Sequence, residues 1–183
     1  MLILASASPA RRALLRRAGV LFEVVPSRVP EIAGRGRTLD QTVLENALRK
    51  ARAVARRFPD RWILAADTLI EYEGRIYGKP RNRKSAVAVL ARLAGRTHNL
   101  STAVVLQRGR RVIRKIDRTR VTLRALTPAQ IGKLLKNPEK LAGGYAIRPG
   151  RDPLVGSIRG SFTNVVGLPM EVVLPLLRKL NLD

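Results

Sequence analysis

The chain has 183 residues, 45% of them apolar, which is enough for one globular domain with a sizeable core, read as a single unit over 1–183. Against 13 Asp and Glu stand 36 Lys and Arg, a formal charge of +23, so nucleotides, nucleic acids and anionic surfaces are all admissible partners, while three Phe, three Tyr and one Trp are too few for base-stacking platforms. The lack of cysteine and the presence of one histidine, His98, exclude disulfides, cysteine nucleophiles and thiolate or His-cluster metal sites; any metal must have oxygen ligands, as Mg²⁺ or Mn²⁺ would.

Met1 to Ala5 is too short an apolar run for a signal peptide, and no stretch approaches a membrane span. The expectation is a soluble cytoplasmic protein that does not enter a membrane. In chain order, Leu2-Ile3-Leu4 reads as a strand, and Ser8-Pro9 opens a helix that Gly19 can end. Phe22 to Val25 is a second strand, followed by a polar loop from Ser27 to Arg37 that carries Glu31. Leu39, Val43, Ala47, Ala51, Val54 and Phe58 recur at helical spacing, which predicts a long amphipathic helix over 39–57, closed by Pro59.

Trp62 to Ala66 is a continuous apolar run of strand length, placing Asp67 at the end of a central strand. Leu69 to Tyr77 reads as a hairpin turning at Glu73-Gly74, and Ser85 to Leu93 as a helix. Leu100 to Leu106 and Val112 to Leu123 predict a long antiparallel pair, and Thr127-Pro128-Ala129-Gln130 has a capping-box pattern. The glycine-rich stretch from Gly143 to Gly167 holds short strands at Tyr145-Ala146-Ile147 and Ser157-Ile158, and a last helix spans 169–180. Helices and strands alternate, so the class is α/β with a mixed sheet.

The first turn suits an anion. A helix start capped by Ser8 offers free N–H groups and a positive dipole end, and Arg11 and Arg12 add charged forks that match phosphate oxygens. Carboxylates are scarce, so Asp67 at a strand end and Glu31 in a loop with no hydrophobic anchor stand out. Brought together, they could hold a hard divalent cation and deprotonate a water. Lys79, close in sequence to Asp67, and Lys50 on the long helix could neutralise phosphate charge. His98 reads as a structural histidine on a strand edge. There is no P-loop, no G-x-G-x-x-G after a strand and no G-x-S-x-G elbow.

Taken together these segments resemble the Maf (septum-formation inhibitor) family of nucleoside triphosphate pyrophosphatases. The resemblance runs end to end through Leu4 to Pro9 with Arg11, Glu31, Asn46 to Ala51, Ala65 to Thr68, Gly78 to Arg81, Leu93 to His98, Ala142 to Ile147 and Asn164 to Pro169. It implies an elongated α/β fold of two lobes around a cleft, often dimeric, that hydrolyses a nucleoside triphosphate to the monophosphate and pyrophosphate with a divalent metal. By the same resemblance Asp67 is the proton acceptor, Glu31 its partner at the metal, and Lys79, Lys50 and Arg11 grip the triphosphate. Ser6 and Ser8 lie in the phosphate-binding turn, and Arg12 and Arg148 join the substrate-binding set.

Three positions depart from the family branches and leave the base preference open. Ala10 separates Pro9 from the arginine pair, where the branch similar to dTTP and UTP pyrophosphatases has none and the 7-methyl-GTP branch has a bulky residue. Leu141 stands for a Lys, and Arg148 for a Gln whose carbonyl can accept a hydrogen bond that an Arg cannot. The leading expectation is a pyrophosphatase that clears non-standard or modified nucleotides. The alternatives are a catalytically weak nucleic-acid-binding protein on the same scaffold, motivated by the charge, and a cell-division regulator acting through protein contacts.

Overall fold

A computed structural model describes residues 1–32, 34, 36–80, 82–134 and 153–182. Its elements are β1 (Leu2–Leu4), α1 (Pro9–Arg17), β2 (Phe22–Val24), α2 (Leu39–Ala55), β3 (Ile63–Tyr72), β4 (Arg75–Tyr77), α3 (Arg83–Leu93), β5 (Thr97–Arg108), β6 (Arg111–Leu123), α4 (Pro128–Leu134), β7 (Val155–Arg159), α5 (Phe162–Val166) and α6 (Met170–Lys179). Among the described residues these strands form one sheet of order β2-β1-β3-β5-β6-β7, with β4 also on β3. The β2-β1-β3 pairings are parallel and the rest antiparallel, which is the mixed α/β class expected.

The period-two alternation of β3 explains the layers. Ile63, Ala65 and Leu69 pack with Val43, Ala47, Ala51 and Val54 of α2 on one face. Leu64 and Ala66 turn to the other face, against Leu15 of α1 and Val173 and Leu177 of α6. Further along, Ile70 joins Ala86, Leu90 and Leu93 of α3. Asp67, in phase with Ala65 and Leu69, therefore faces α2.

Two expectations are corrected, and one helix is added. The apolar run of Trp62 to Ala66 does not end the strand at Asp67: β3 continues to Tyr72, so Asp67 is mid-strand, and the hairpin at Glu73-Gly74 is the far end of the same strand. Both turn residues have positive φ, 50° and 71°, which the glycine adopts without cost. The polar Asp67 and Thr68 broke the apolar pattern without breaking the ladder, because Asp67↔Ala103 and Thr68↔Thr102 remain paired with β5. His98 is no edge residue, since it is buried in β5 opposite Val121. The short helix α5, capped by Ser161, carries no sequence periodicity and falls within the glycine-rich stretch for which the sequence predicts only short strands.

The strand expected at Tyr145-Ala146-Ile147, with Leu141 and Arg148, lies outside the described residues. Among the described residues no helix is long and apolar enough to cross a membrane.

Candidate active site

The site forms where β3 changes neighbours. β1 pairs with β3 at Ile63 and Leu64, and β4 takes up the same edge only at Ile70. After Leu4 the chain leaves the sheet through Ala5, whose N–H still donates to Leu64 O at 2.8 Å, and turns into α1. Asp67 and Thr68 sit on β3 in the interval between the two pairings.

On the α2 face a compact charged cluster surrounds Asp67. Asn46 and Lys50 are one helical turn apart and so share a side of α2. Lys50 Nζ donates to Asp67 Oδ1 and to Glu31 Oε1, each at 2.6 Å, bridging the two carboxylates. Asn46 Nδ2 donates to Asp67 Oδ2 at 2.9 Å, and Asn46 Oδ1 accepts from Ile32 N at 2.8 Å, beside Glu31. The frame for these contacts is a well-started helix: Thr38 and Gln41 form a reciprocal capping box at the start of α2.

Burial separates the carboxylates. The Asp67 side chain is 2% exposed and Lys50 11%, whereas Glu31 is 45% exposed. Burial pushes the Asp67 carboxyl above its usual value, Lys50 pulls it down, and the nearby negative charge of Glu31 pushes it up again, with a net rise. Burial also acts to raise Glu31, but the charge and hydrogen bond of Lys50 outweigh it and hold that carboxyl below its usual value. The cluster thus moves the two carboxyls in opposite directions, Asp67 up and Glu31 down.

Beside this cluster lies the turn from Ser6 to Arg11. Ser8 caps α1, its Oγ accepting from Arg11 N at 3.4 Å, and Ser6 Oγ accepts from Ser8 N at 3.2 Å. Arg11 is not a solvated surface arginine. Its Nε donates to Gly167 O at 2.8 Å, Nη1 to Ser6 Oγ at 3.2 Å and Nη2 to Thr68 Oγ1 at 3.1 Å. Burial lowers the pKa of this guanidinium while the charges of Asp67 and Glu31 raise it, with a net fall. With five N–H donors, an arginine holding three such bonds keeps two for a ligand. The serine hydroxyls accept within the turn, which leaves their O–H donors for an anion.

The sequence-derived residues thus divide. Glu31, Lys50 and Asp67 form one bonded cluster, and Ser6, Ser8 and Arg11 one adjoining turn. Arg12 is half-buried on α1 and Lys79 is exposed after β4; neither side chain makes a hydrogen bond or ion pair among the described residues. Arg148 lies outside them. Asn46, Thr68 and Gly167 carry the connections without a sequence signal for that role, since an isolated Asn on a helix or Thr on a strand has no spacing signature. Among the described residues no group of three His, Cys, Asp or Glu could hold a metal. The pair Glu31 and Asp67 still fits a hard cation, because Mg²⁺ is commonly held by one or two carboxylates and takes its other ligands from water and substrate phosphates.

The sequence model of the Maf-like protein family matches residues 1–180. The chain belongs to the Maf family. A Maf relative from Gloeobacter violaceus named dTTP/UTP pyrophosphatase is 44% identical over 178 residues, spanning 96% of this chain and 94% of that protein. Another of the same name, from Myxococcus xanthus, is 41% identical over 184 residues, spanning 100% and 93%. Among solved structures, this Maf chain is similar to a nucleoside-triphosphatase / dITP/XTP pyrophosphatase from Mycobacterium abscessus, with a TM-score of 0.48, 17% identity and coverage of 98% and 96%.

Proposed function

We propose that this Maf protein is a cytoplasmic hydrolase that converts a nucleoside triphosphate and water to the nucleoside monophosphate and pyrophosphate, with dTTP and UTP the first substrates to test. The observation that carries the reading is the contiguity of two devices: the Glu31–Lys50–Asp67 cluster, and the Ser6–Ser8–Arg11 turn tied to Thr68 on the same strand as Asp67. The names of the relatives support it.

In this reading the triphosphate lies along the turn. Arg11 meets phosphate oxygens with its two unused N–H groups, the Ser6 and Ser8 hydroxyls donate beside it, and the α1 dipole adds its positive end. A divalent cation held by Glu31 and Asp67 with phosphate oxygens would neutralise charge and make a bound water more acidic. Asp67 takes the proton as the water oxygen bonds to the α-phosphorus, and the bond from that phosphorus to the bridging oxygen breaks to release pyrophosphate. Lys50 keeps the two carboxylates together and offsets their charge. Lys79 and Arg12 supply further cations to the leaving phosphates, and Arg148 joins the substrate-binding set by the family resemblance alone.

Asp67→Asn tests the reading, since it preserves shape and removes the proton acceptor. Pyrophosphate release from a panel of dTTP, UTP and 7-methyl-GTP with Mg²⁺ and Mn²⁺ should fall to background, with an unchanged circular dichroism spectrum. Full activity in this variant overturns the assignment.

A further inference from the structure

We infer that Asn46 is a positioning residue for the proposed hydrolysis, one side chain that aligns both carboxylates of the site. The inference rests on that reading and goes beyond it, because Asn46 itself has no group that could accept the water proton.

The carboxamide is fully engaged and its orientation is forced. Asn46 is 1% exposed. On one side stands Asp67 Oδ2, an acceptor, and on the other the Ile32 N–H, a donor, so Nδ2 must face the first and Oδ1 the second. Nδ2 also lies 3.5 Å from Ile32 O, closing a two-point contact with the backbone next to Glu31. Asn46 therefore acts at both ends: it fixes the loop that carries Glu31, and it sets one oxygen of Asp67.

The other oxygen of Asp67 is set by Lys50, from the next turn of the same helix. Two donors on a rigid helix, each bonded to a different carboxylate oxygen, determine the rotation of that group about its last torsion. Such terminal torsions are intrinsically broad, so without the second donor the carboxylate is held at one oxygen only. A buried Asn that merely satisfied the loop backbone would need the Ile32 bonds alone. The bond to Asp67 is the one that reaches the reacting group.

The variants separate these bonds. Asn46→Asp keeps an acceptor for Ile32 N–H but replaces the donor toward Asp67 with a repelling oxygen, whereas Asn46→Ala removes both contacts. Ala47→Gly, next on α2 and without a polar contact, weakens the helix by about 1 kcal/mol and serves as the control for simple loosening. Each is assayed for pyrophosphate release well below its own melting temperature.

The expected result is a fall in kcat of about 100-fold in both Asn46 variants, the scale on which a 1 Å misplacement acts, larger than any change in KM, because Asn46 acts through the carboxylates it aligns. Ala47→Gly should retain kcat. Wild-type kcat in folded Asn46→Asp overturns the inference; so does a rise in KM with kcat unchanged, or an equal loss in Ala47→Gly. If wild type itself releases no pyrophosphate from any triphosphate, the proposed function fails and this role falls with it. An active wild type with an unimpaired Asn46 variant removes the positioning role alone.

Discussion

His98 shows how one side chain ties stability to pH. It is 2% exposed, and burial lowers its pKa to about 4. An unfolded histidine titrates near 6.5, so above that value both states are neutral and His98 adds no pH dependence. Between 6.5 and 4 the unfolded chain binds a proton that the folded chain refuses, and stability falls as pH drops; below about 4 both are protonated and the loss is complete. The gap of about 2.5 units corresponds to about 3 kcal/mol. Denaturant melts from pH 7.5 to 4 should show this loss, and His98→Gln should remove that share of the slope. An identical slope in the variant would mean that the folded site accepts the proton. At the same scale, Glu31, Lys50, Asp67 and Arg11 were legible because carboxylates are rare here and the first turn is well capped. The apolar run places Asp67 at a strand end, but in the fold it lies mid-strand, in the interval between β1 and β4. Lys79, close to Asp67 in sequence, is exposed after β4 and makes no side-chain bond to the cluster among the described residues.

At the scale of elements, the turn after α5 is the least expected contributor. Gly167 ends that helix with φ 111°, and its carbonyl accepts from both Arg11 Nε and Thr68 Oγ1. A chain segment 156 residues distant thus holds the arginine assigned to the triphosphate. A Cβ at this glycine would meet Thr68 Oγ1 at 3.6 Å and Arg11 Nε at 3.7 Å, which is ordinary contact; the difficulty is the backbone angle. Gly167→Ala should therefore cost about 1–3 kcal/mol in stability. By tilting the carbonyl that orients Arg11 it should also raise KM for the triphosphate more than it lowers kcat. A melting curve and a two-parameter kinetic comparison check both effects, and an unchanged KM would detach Gly167 from substrate binding. The long helix α2 was legible because its apolar spacing is strong, and its ends differ from expectation by two residues or fewer. Helix α5 was not, because five residues are too few to show a period. The extension of β3 through Asp67 was hidden for a related reason: pairing with β5 keeps a strand intact where the apolar pattern stops.

At the scale of the whole molecule, the charge of +23 and the turn proposed to bind the triphosphate make different demands on salt. Scattered arginines attract any polyanion, and the counterions they release make such binding fall steeply with ionic strength, by about 10³ to 10⁵ between 50 and 200 mM salt for a protein that neutralises 6–10 phosphates. The turn around Arg11 is different, because its guanidinium is held by three hydrogen bonds and partly buried, where screening is weak. Duplex DNA should therefore be retarded at low salt and released near 200 mM, equally by wild type and by Asp67→Asn, while triphosphate hydrolysis at saturating substrate persists. A gel-shift series run beside the pyrophosphate assay reads both curves. Tight binding that survives the higher salt and depends on sequence would point instead to a nucleic-acid-binding function, since scattered charge supplies neither property. Parallel loss of hydrolysis and DNA retention would show that the substrate is gripped by the general field of the surface and not by the ordered turn around Arg11.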